Sequence, residues 1–147
     1  AGPASVAGEY MLVSDERKEM GFRGDDLPAV RASAWYVAGT WAVTGERKDG
    51  RLEPRRNLGA LELVARIEEL RFHGISHPGA QFGFPDPSTL LGNTDLLTTL
   101  GVNLYVHRHV RLQYNHVIES IADAQRSPAP TSHGRFTTGV FRAQFTL

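Results

Sequence analysis

Arginine carries a fixed fork of donors that matches the oxygens of phosphate and carboxylate. Arg66 stands between Ala65 and Ile67, Arg111 between Val110 and Leu112, and Arg142 between Phe141 and Ala143. If these stretches are strands, the spacing puts all three guanidiniums on the polar face of a sheet. Their chemistry there would be the brief holding of anions along a track. The plainer alternative is a charge lattice on a wet wall, with Glu62, Glu68 and Glu119 as counter-ions. An anion pore should be lopsided in charge, and the chain carries 16 Lys+Arg against 16 Asp+Glu, which favours the lattice.

A second basic group, Arg47, Lys48, Arg51, Arg55 and Arg56, lies in a single short stretch. It could gather anions or touch lipid phosphates, although a solvated linker accounts for it as well. His107 and His109 flank one arginine, and two ligands are too few for a metal site. His73, His77 and His133 are spread over Gly- and Pro-rich connections, and no metal site is expected from them. No Ser/His/Asp set, carboxylate pair or Gly-rich phosphate loop after a strand stands out. Neither an enzyme nor a cofactor is expected.

Six alternating segments would position the arginines. They run over Val6–Val13, Trp35–Thr44, Leu61–Glu68, Thr98–Val106, Val110–Ile118 and Thr137–Leu147. The third can also be read at helical spacing through Leu58, Leu61, Ala65 and Glu69. Eight residues of alternation beside other strands favour a strand. The last segment alternates strictly, with Phe141, Ala143, Phe145 and Leu147 against Arg142, Gln144 and Thr146. His107-Arg108-His109 is a hairpin-length turn. The stretches 14–28, 73–93 and 120–135 are long connections that fall at one rim. Stretch 46–57 falls at the other and is long for that side.

Composition sets the outer bounds. The chain has 147 residues, 41% hydrophobic and 22% charged, which fits one domain and argues against disorder. Zero net charge lowers any nucleic-acid reading. The absence of Cys excludes disulfides and Cys-ligated metals. No apolar run approaches the roughly 20 residues of a membrane helix, but a β-barrel crosses with strands that escape such a scan. The chain starts at Ala1 and reads as a mature form or a fragment.

The faces then separate. Tyr10, Trp35, Trp41, Tyr114, Phe141 and Phe145 share the apolar face, near strand ends or edges, where membrane barrels carry aromatic girdles. The other face carries Glu9, Glu62, Arg66, Glu68, Asn103, Arg111, Gln113, Asn115, Arg142 and Gln144. Such a face makes a poor packed core and a good water-filled lumen. A soluble sandwich could still bury the apolar face, so alternation alone leaves both readings open.

These residues resemble the phosphate-selective porins of the O and P type. Tyr36-Val37-Ala38-Gly39-Thr40-Trp41-Ala42-Val43-Thr44-Gly45-Glu46, followed by Arg55-Arg56-Asn57, looks like an aromatic strand and basic linker of that family. Gly59-Ala60-Leu61-Glu62-Leu63-Val64-Ala65-Arg66 is similar to its Gly-Ala-aromatic-Glu-Leu-x-x-Arg strand, with Leu61 in place of the aromatic. Leu100 to Tyr105 and Val110 to Asn115 look like its penultimate hairpin, and Phe141 to Phe145 like its closing strand.

The resemblance implies an all-β, antiparallel transmembrane barrel of sixteen strands, of which this chain is expected to supply about six, the rest not being present in it. Residues 1–147 are expected to be the C-terminal part of a single barrel domain. The resemblance also implies a homotrimer in the bacterial outer membrane, surrounded by outer-membrane lipid. Its function would be passive diffusion of small anions such as phosphate, with no nucleic-acid partner. A second reading remains: a barrel-derived or β-sandwich structural or interaction subunit of a larger assembly, with no transport role.

Overall fold

A computed structural model describes residues 2–21, 23–46, 54, 59–75, 91–123 and 134–146. They form six strands: β1 Ala4–Arg17, β2 Leu27–Ala42, β3 Ala60–His73, β4 Asn93–His107, β5 Val110–Ile121 and β6 Arg135–Phe145. The six make one antiparallel sheet in the order β1-β2-β3-β4-β5-β6. Each strand therefore bonds only to its neighbours in the chain. β3 is a strand throughout, so alternation prevails there over the helical propensity of Glu and Leu. Gly59, with φ at 87°, leads into it, a conformation that suits glycine.

The strands outrun the alternating segments. β2 has 16 residues and begins at Leu27, eight residues before the first expected position, Trp35. β1 continues to Arg17, so the expected connection 14–28 shrinks to 18–26. The cause lies in the side chains: Ser14 pairs with Arg31 and Arg71 with Thr94, still in register, where the apolar members of the alternation have run out. At the other rim β2 ends at Ala42 rather than Thr44. The expected three-residue turn is two residues, Arg108 and His109, because His107 still pairs with Val110 across a register shift. β6 runs Arg135–Phe145, two residues earlier than expected at its start, while Leu147 lies outside the described residues.

The sheet has almost no interior. Ala42 and Ala60 are the buried hydrophobics among the described residues. Val6 is 80% exposed, Phe141 69% and Phe145 74%. Among the described residues no second layer lies over the apolar face, so the sandwich arrangement is not formed by them. On β4 the apolar face runs from Leu96 to Val106, about 33 Å along the strand. At a tilt of roughly 40° that is about 25 Å of thickness, the height of the apolar band on membrane barrels.

Candidate functional site

The polar face is a stack of rows, each formed by residues paired directly across the sheet. Nearest the hairpin turn is Ala60–Tyr105–Arg111–Gln144. Next comes Ala42–Glu62–Asn103–Gln113–Arg142. Ser5–Thr40–Val64–Gly101–Asn115–Val140 follows. Beyond it lie the row of Arg66 with Thr99 and the row Glu9–Tyr36–Glu68–Leu97–Glu119.

The first two rows form a network over four strands. Glu62, only 6% exposed, accepts from Asn103 Nδ2 at 2.8 Å and from the Tyr105 hydroxyl at 2.9 Å. Gln113 Nε2 donates to Asn103 Oδ1 at 2.8 Å. Arg111 Nη2 donates to Gln144 Oε1 at 2.6 Å, and its Nη1 reaches the Tyr105 hydroxyl at 3.5 Å. Bonds to a charged acceptor are the stronger kind, and a buried carboxylate requires them. One row further, Asn115 lies across Gly101, where an added β-carbon would collide with its amide oxygen.

The far end is arranged differently. Arg66 bonds to Glu68 two residues along its own strand, and its guanidinium lies 4.3 Å from the centre of the Tyr36 ring. Asp95 and Glu119, diagonal on β4 and β5, bring their carboxyls together with Glu68 nearby. This half carries Glu9, Glu68, Asp95 and Glu119 against Arg66.

The three expected arginines therefore do not form one line. Arg111 and Arg142 are diagonal neighbours on β5 and β6, about 7 Å apart at Cβ. Arg66 lies three rows from Arg111 and two from Arg142, about 20 Å and about 13 Å along the strands. The expected lattice forms only in part: Arg66 takes Glu68, but Glu62 serves Asn103 and Tyr105, and Glu119 meets Asp95. Arg142 is exposed on the edge strand, without a side-chain bond among the described residues. Tyr105, Tyr36 and Asp95 were not singled out beforehand. Tyr105 and Tyr36 could have been, since alternation already places both on the arginine face.

The basic group Arg47, Lys48, Arg51, Arg55 and Arg56 lies outside the described residues, as do His77 and His133. His109 Nδ1 bonds to the Thr146 carbonyl at 2.8 Å, and its Nε2 accepts from Arg108 Nε at 2.9 Å. Both ring nitrogens are engaged, so the turn ties down the end of the chain rather than offering a ligand. No cluster of metal-ligating side chains occurs among the described residues.

An open antiparallel sheet with one apolar and one polar, arginine-bearing face fits a barrel wall. A family model described as phosphate-selective porin O and P matches residues 1–147, the whole chain. The chain belongs to that family. No curated protein matches it. Porins are membrane β-barrels that act as channels, and such a barrel wall has two faces of this kind, a polar one and an apolar one.

Proposed function

We propose that this porin is a passive outer-membrane channel for small anions such as phosphate, and that Arg111 and Arg142 supply the anion contacts of this part of the wall. The observation that carries the reading is their diagonal placement: two arginines on adjacent strands of the polar face, each directly across from a glutamine amide, Gln144 and Gln113. Neither makes a salt bridge among the described residues, so their charge is not cancelled at contact. Several weak contacts of this kind concentrate an ion without trapping it. Arg66 is excluded from the role, because Glu68 and the Tyr36 ring already occupy its guanidinium.

Among the described residues nothing pairs with the outer edges of β1 and β6, whose backbone groups the remaining strands of the barrel would take up. A homotrimer is the assembly expected of such barrels. The test is ion selectivity of the full-length protein in a planar bilayer under a potassium chloride gradient. A reversal potential of the anion-selective sign is expected, with phosphate reducing chloride current. A cation-selective sign would overturn the assignment and give the acidic half of the lumen the controlling role.

A further inference from the structure

The lipid-facing side of the sheet changes character at one level. Tyr10 pairs with Trp35, and this aromatic row closes the apolar band. One row beyond, Ser33 pairs with Arg71; in the next, Ser14, Arg31 and His73 stand side by side across three strands. His73 Nε2 lies 3.4 Å from Ser33 Oγ, which holds the ring toward this cluster. Arg71 reaches Glu69 at 3.3 Å, while Arg31 has no salt bridge among the described residues. A cleft of about 760 Å³ opens here, lined by Leu12, Ser14, Arg31, His73 and Ile75. Leu12, Ala29 and Ile75 give it apolar wall and Arg31 and His73 basic wall, with Arg71 just outside it, one row nearer the band.

We propose that this cleft seats the phosphate-bearing headgroup of an anionic membrane lipid, with the acyl chains lying down the face past Leu12 and Tyr10. The inference rests on the apolar face meeting lipid. Residues just beyond an aromatic row stand at headgroup depth, where basic side chains attract anionic lipid. A guanidinium fork suits phosphate oxygens, and Arg31, Arg71 and His73 outnumber the carboxylates on this side, Glu69 beside Arg71 and Glu16, which is paired with Lys18. The cluster lies on the opposite face from Arg111 and Arg142, so it is separate from the permeation contacts.

The test offers the purified full-length protein equal amounts of phosphatidylglycerol and phosphatidylcholine with the same chains, washes it in detergent, and quantifies the retained lipid. Phosphatidylglycerol should be retained preferentially, and Arg31→Gln with Arg71→Gln should lower its retention about 25-fold, roughly fivefold for each arginine. Arg31→Lys with Arg71→Lys should keep most of it. Raising salt from 0.05 to 0.5 M should erode the preference of the unmutated protein, a readout that needs no variant to fold. Unchanged retention in the Gln variant, no salt dependence, or displacement by an equal concentration of inorganic phosphate would each overturn the proposal. A fluorophore at Leu63→Cys in vesicles of brominated lipid separates the underlying reading. If it is quenched while lipid retention is unchanged, the headgroup site alone fails. If it is not quenched, the lipid-facing side fails, and the site with it.

Discussion

Near the hairpin turn, Glu62 takes hydrogen bonds from Asn103 and Tyr105 on the neighbouring strand, whereas near the long connections Arg66 turns to Glu68 on its own strand. The first arrangement uses the carboxylate's hydrogen bonds to join strands; the second keeps its ion pair within one strand and reaches the next through the Tyr36 ring. The difference follows from which residues face each other. Across from Glu62 the sheet presents Asn103, then Gln113, all with donors to give; across from Glu68 it presents Leu97, then another carboxylate, Glu119. A carboxylate with neutral donors opposite becomes a hub. One among carboxylates must take its cation from elsewhere.

The contrast can be broken most forcefully at Glu62. Glu62→Ala leaves Asn103 and Tyr105 without their acceptor, and two bonds to a charged, buried group are together worth about 3 kcal/mol. Urea unfolding of the full-length protein in vesicles should show a loss of that size. A loss below about 1 kcal/mol would mean that the network adds little to the backbone ladder.

Charge in the turn-end half is the next lever. Arg111→Gln with Arg142→Gln should lower the anion-to-cation permeability ratio about 25-fold, taking about 1 kcal/mol for each water-screened charge contact at close range. Reversal potentials measure it. An equal change from Arg66→Gln would erase the distinction between the halves.

The smallest effect is expected at the far end. Glu68→Ala removes a pair whose side chains are 41% and 30% exposed, and exposed pairs contribute about 0.2–1 kcal/mol. Unfolding in vesicles should barely move, while Glu62→Ala moves it clearly.

Much of this could be read from residue order. Alternation assigned Trp41 and Phe141 to one face and Glu62, Arg111 and Arg142 to the other, because the side-chain period of a strand is two. It could not tell which residue of β6 stands opposite Arg111. That register depends on pairing across the 122–134 connection, whose length the alternation does not constrain. Hence Gln144 as the partner of Arg111, and Asp95 as the partner of Glu119, emerge only from the folded sheet. The strand ends were hidden for another reason. At Ser14, Arg31 and Thr94 the lipid-facing side chains are themselves polar, so the pattern disappears while the hydrogen bonds continue.

The strictly sequential order of the strands has a consequence for how such walls change. Because no strand bonds to a distant one within these six, a hairpin could join at either edge without altering any existing row. The diameter of a barrel grows with the number of its strands, whereas the chemistry of a row depends only on adjacent strands. Pore width and wall chemistry are thus separate variables here, and one can be altered by duplication while the other is altered by point substitution.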